Sequence, residues 1–116
     1  MKYKAEGRTS WERASEVFAS GDVGEISAAL VAVALNDSNW RWVQNRCLEF
    51  LNNDNFEIRG VAATCLGHIA RIHGRLDEDK VMPALRERLN DQAISGRIED
   101  AIEDIGMFLR NRRKLE

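Results

Sequence analysis

Apolar residues recur at spacings of three and four along most of the chain, and no segment alternates with period two for long enough to make a strand. The pattern predicts an all-α fold of about six helices. A first helix spans about Ser10 to Ser20, opened by Thr9 with Glu12 at capping-box spacing and closed by Gly21. Asp22 with Glu25 repeats that device and starts a very apolar second helix, EISAALVAVAL, ending near Asn36. Ser38 is expected to cap a third helix, in which Trp40, Val43, Cys47, Leu48 and Leu51 form the buried stripe. The fourth runs from an Asp54–Glu57 capping pair to a stop at Gly74, with Ile58, Val61, Ala62, Cys65, Leu66, Ile69 and Ile72 facing inward. Asp77 begins the fifth, where Val81, Leu85 and Leu89 face the core and Pro83 is either tolerated in the first turn or kinks the helix. The sixth, about Ile94 to Asn111, buries Ile98, Ala101, Ile102, Ile105, Phe108 and Leu109.

Two glycines, Gly60 and Gly67, lie inside the fourth helix, where each costs roughly 1 kcal/mol relative to alanine. Close approach of a neighbouring helix is the expected compensation. A repeat supports it. In LEFLNNDNFEIRGVAA at 48 to 63 and LRERLNDQAISGRIEDA at 85 to 101, a leucine-bearing helix ends in Asn-Asp, and the next helix carries Arg59 or Arg97 four positions before an alanine. The offset is 37 at Asp54 and Asp91 and 38 at the arginines, and Asn36-Asp37 ends the second helix in the same way. Such a period belongs to helical-repeat architectures, in which helix pairs pack on both flanks.

Asp22 to Leu109 resembles a degenerate HEAT-repeat protein. The string CLEFLNNDNFEIRGVAATCLGHIARIHGRLDEDKVMPALRERLND is similar to the small HEAT-like immunity proteins that bacteria encode beside secreted toxins, including those of contact-dependent growth inhibition systems. The resemblance implies a short right-handed stack of antiparallel helix pairs, HEAT- or armadillo-like. It further implies an immunity protein that neutralises one cognate toxin by covering its active site or substrate-binding surface. Toxins of such systems are often nucleases, so the implied partner is a basic nuclease domain, met by a monomer within a heteromeric complex. A general HEAT-type adaptor or assembly factor is the alternative, and a repair enzyme on a HEAT-like scaffold a more distant one.

With 44% hydrophobic and 31% charged residues in 116, one domain with a real core is expected over 1–116; residues 111–116 are expected to be frayed or partly vector-derived. The net charge of −2 argues against direct nucleic-acid binding, and no apolar run approaches the ~20 residues of a membrane span, so a cytoplasmic location is expected. Cys47 and Cys65 lack metal or disulfide spacing and read as small buried hydrophobes. His68 and His73 stand five apart, where a metal pair needs three or four, and Ser10, Ser38 and Ser95 sit where helix caps belong. No catalytic residue, metal ligand or cofactor motif is found, and an enzyme is not expected.

The candidate chemistry is that of a binding surface. In IEDAIEDI, apolar positions fix the buried face, so Glu99 and Glu103, and Asp100 and Asp104, pair at i, i+4 on the outside. The acids either form a solvated face or dock a basic partner, and Asp77, Glu78 and Asp79 are candidates to extend the patch. Arg41, Trp42 and Arg46 form a secondary candidate. Trp42 lies away from the buried stripe of its helix, so it either packs under the first helix or is partly exposed, and Trp11 is expected to anchor that first helix.

Overall fold

The computed structural model describes residues 10–115 and contains six α-helices: α1 (Ser10–Ser20), α2 (Val23–Asn36), α3 (Trp40–Phe50), α4 (Phe56–His73), α5 (Glu78–Glu87) and α6 (Ser95–Leu115). Among the described residues there is no strand. The expected Thr9 cap lies outside the described residues. So does Glu116, whereas the helix expected to stop at Asn111 runs on to Leu115.

Local signals set most of the boundaries. Asp22 caps α2 through a complete capping box: its Oδ1 accepts from the Glu25 amide at 2.8 Å, and Glu25 Oε1 accepts from the Asp22 amide at 2.9 Å. Gly74 ends α4 in the left-handed conformation, φ 63°, which a glycine adopts without a Cβ penalty. At two starts the cap is one residue later than expected. Asn39, not Ser38, accepts from the Trp42 amide, and Asn55, not Asp54, accepts from the Glu57 and Ile58 amides. In both turns an acceptor two residues earlier fixes the choice, with Asp37 Oδ1 taking the Asn39 amide and Asn53 Oδ1 the Asn55 amide, each at 2.8 Å. Asp91 Oδ1 does the same to the Ala93 amide. The residue equivalent to Asp91 is therefore Asn53, not Asp54, and the repeat offset becomes 38 at the turn as well as at the arginines.

α4 is the central helix. It packs along α2 on one flank and α6 on the other, α3 lies against it, and α1 and α5 each pack against the helix that follows them in the chain. Ile58, Ala62, Ala63, Cys65, Leu66, Ile69 and Ala70 of α4 are buried, as are Leu30, Val43, Leu51, Leu85, Ile98 and Ile105 from the rest of the chain. The two thiols meet between α3 and α4, where contact with Cys65 and burial push the Cys47 thiol up and keep it neutral. Gly67 lies against α6: a Cβ there would stand 3.8 Å from the Ala101 Cα. Gly60 answers a different need, because a Cβ at that position would meet the Arg97 side chain at 2.9 Å. The glycine gives Arg97 room to lie across α4.

Three expectations shift with packing. Ile72 and Leu89 are 39% and 40% exposed, not inward: Ile72 lies in the last turn of α4, and Leu89 lies beyond the end of α5. Pro83 stands in the second turn of α5, and the helix continues past it to Glu87.

Candidate partner surface

Side-chain ties hold the turns between helices. Arg59 on α4 donates to Asp91 at 2.9 Å and to the carbonyls of Asn53 and Asp54 at 3.0 Å, so one guanidinium joins the α3–α4 and α5–α6 turns. Arg88 donates to Asn52 across the same gap. On the other side, Asp77 accepts from Arg41 Nε at 3.0 Å and Nη2 at 2.9 Å, and from Gln44 Nε2 at 2.9 Å, while its own amide donates to Gln44 Oε1 at 2.7 Å. These hydrogen bonds, from Arg41 first and Gln44 second, hold the Asp77 carboxyl down at about 2.

The clasp changes the standing of two sequence candidates. Asp77 and Arg41 neutralise each other between α3 and the α4–α5 turn, and so form a structural tie, while Arg41 also lies 4.7 Å over the Trp40 ring. Glu78 is half-buried with an interaction of its own, and Asp79 is exposed in the first turn of α5. Trp42 packs under α1, with ring centroids 6.0 Å from Trp11 and 6.3 Å from Phe18, and Phe18 continues the cluster to Phe50 at 5.1 Å. Trp11 thus anchors α1, although 43% of it stays exposed. Arg46 is bound to Glu49 at 2.6 Å, and its Nε is buried without a hydrogen-bond partner. Arg41, Trp42 and Arg46 therefore point to three different tasks.

The acids of α6 are more available. Glu99, Asp100 and Glu103 are exposed, held outward by buried Ile98, Ala101 and Ile105 and half-buried Ile102. Asp104 turns toward α4, where it faces Gly67, and its charge partly offsets the burial and the Arg71 charge that push His68 down. His68 Nδ1 stands 3.3 Å from Arg71 Nη2. Among the described residues, no group of three or more His, Cys, Asp or Glu is placed to hold a metal ion.

One feature had no counterpart in the sequence reading. The N-terminal ends of α2, α4 and α6 converge on a groove of about 480 Å³, lined by Val23 and Gly24 from α2, Phe56, Gly60 and Val61 from α4, and Arg97 from α6. The signal for it was present in the repeat, which sets the starts of these helices at one edge, but only the packing shows that they leave a gap.

The chain is similar to a chain of the crystal structure of a CDI complex from Cupriavidus taiwanensis LMG 19424. The TM-score is 0.77 at 29% sequence identity, and the match covers 84% of this chain and 88% of that one. No protein-family model and no curated protein matches the chain. Among the described residues, no helix is long and apolar enough to cross a membrane.

Proposed function

We propose that this chain is an immunity protein of a contact-dependent growth inhibition system, which binds one cognate toxin and neutralises it by covering its active site or substrate-binding surface. The observation that carries the reading is the near full-length likeness to a chain of a CDI complex. The side chains support it through what they offer. Glu99, Asp100 and Glu103 stand outward on α6 with Asp104 beside them, a surface suited to a basic protein cleft. A toxin nuclease has such a cleft, because it must hold a polyanion, and the acidic face would take the place of phosphates. Neutralisation then works by steric and electrostatic exclusion, without bond chemistry, in the cytoplasm of the cell that makes both proteins. One copy of the chain binds one toxin domain.

Co-expression tests this directly. The C-terminal domain of the secreted protein encoded beside this chain is expected to arrest growth alone, to lose toxicity when the chain is supplied, and to co-elute with it as a one-to-one complex. Continued arrest and separate elution would refute the assignment.

A further inference from the structure

Gly24 is a helix residue with no internal reason to be glycine. It is exposed in the first turn of α2, and the nearest atom a Cβ would meet is the capping Asp22 Oδ1 at 3.6 Å, which is ordinary contact. Gly60 and Gly67, by contrast, face Arg97 and α6. A glycine that nothing in its own chain crowds still weakens its helix. What Gly24 keeps open is the groove between the N-terminal ends of α2, α4 and α6. Gly96, whose Cβ would have nothing within 4 Å, likewise opens space at the start of the acidic face of α6.

The groove is equipped for contact as well as open. Val23, Val61 and Ile94 give it an apolar lining, and Phe56, also in the lining, stands 55% exposed. A volume of about 480 Å³ is within the range of real binding pockets. The exposed flank of α2 continues the apolar surface through Ala28, half-buried Val31 and Leu35, at helical spacing. Among the described residues neither Glu57 nor Arg97, which both line the groove, is in an ion pair. Gly60 leaves room for the exposed Arg97 side chain to lie over α4 beside the groove, and aromatic and arginine side chains are the common anchors of protein interfaces. Asp100, one turn after Arg97 on α6, is exposed as Glu57 is, so among the described residues two carboxylates without a salt bridge lie on the helices that line the groove.

We infer that this groove is the anchor site for the toxin, and that it takes a large apolar side chain projecting from a basic surface of that protein. Basic groups around the projecting side chain meet Glu57 and Asp100, and a single carboxylate beside it meets Arg97. The inference rests on the immunity reading and adds the point of attachment to it. The acids of α6 then govern approach, while the groove governs residence.

Two exposed variants test it with the neighbouring toxin domain as probe, by titration calorimetry on purified proteins. Gly24→Gln projects a side chain into the groove while favouring the helix, and Phe56→Ala removes the exposed aromatic ring of its lining. Each is expected to raise Kd at least tenfold, and Gly24→Gln is expected to melt at or above the wild-type temperature, which separates obstruction from misfolding. Arg86→Ala, on the exposed side of α5, should leave Kd unchanged. If both groove variants bind like wild type, the anchor lies elsewhere and the inference falls while the immunity reading stands. A wild-type dimer that Gly24→Gln dissociates would make a second copy the occupant and overturn it as well. If the wild-type chain itself binds no toxin domain, the functional reading falls and takes the inference with it.

Discussion

Removing the Asp77 carboxylate, by Asp77→Ala, takes away three accepted hydrogen bonds, and the structure says which of them matters. Two come from Arg41, whose side chain is 61% exposed, so water and salt replace the pair with little loss. The third comes from Gln44, which is fully buried, and the variant would leave its Nε2 with only a 3.3 Å contact to Asn45. An under-satisfied buried amide costs roughly 1–3 kcal/mol. Asp77 also sits at the cap position of α5 but makes no capping hydrogen bond, so no further loss is due from that source. The expected destabilisation is therefore about 2 kcal/mol, which moves a urea midpoint down by about 1 M for a domain of this size. Arg41→Ala should shift it much less, and Gln44→Ala at least as much as Asp77→Ala, since the backbone amide of Asp77 then loses its acceptor. Urea melts followed by circular dichroism decide it. An Arg41→Ala midpoint as low as that of Asp77→Ala would show that the ion pair carries the clasp and that the reasoning from burial is wrong.

The same carboxyl predicts a pH effect: it is held at about 2 in the fold against an ordinary 3.8, so the unfolded chain binds its proton more readily. The stabilisation is complete above about pH 4 and fades as pH falls toward 2, and Asp77→Ala should show a shallower acid loss over that window in melts at stepped pH. At Gly67 a Cβ finds ordinary contact with α6, so Gly67→Ala should be tolerated, whereas Gly67→Leu overpacks the α4–α6 seam and costs roughly 1–3 kcal/mol by chemical denaturation. Replacing Glu99 and Glu103 with Gln should leave the melt unchanged but slow association with the toxin domain and flatten its salt dependence. Wild-type association rates at two salt concentrations would contradict the steering role.

Helix existence was legible in the chain because three- and four-residue periodicity and local stops such as Gly74 act within one or two turns. The caps at Asn39 and Asn55 were not, because each turn offers adjacent residues able to cap, and the choice depends on a second acceptor, Asp37 or Asn53, two residues back. The repeat was visible, and its one-residue discrepancy disappears once Asn53 and Asp91 are seen to make the same turn. Burial of Gln44 could not be read, since its partner is 33 residues away and the periodic stripe of α3 asks for an apolar residue there. For the same reason Asp77 and Arg41 were sorted into different patches, although they hold one another. The acidic face of α6 followed from its own helix alone and stands as expected at Glu99, Asp100 and Glu103, while the groove needed three helices and was hidden.

The principal helix contacts join elements no more than two apart in the chain, with α4 meeting α2, α3 and α6. Short-range topology of this kind folds quickly, because few loops must close before contacts begin to reward them. It also sets an order during synthesis: α2, α3 and α4 can associate while α6 is still being made, and the α6 seam then completes the molecule. Substitutions in the α4 seam with α2 should slow refolding, whereas those at α1 or α5 should chiefly speed unfolding. A chain built this way gains its central layer early and its acidic edge last.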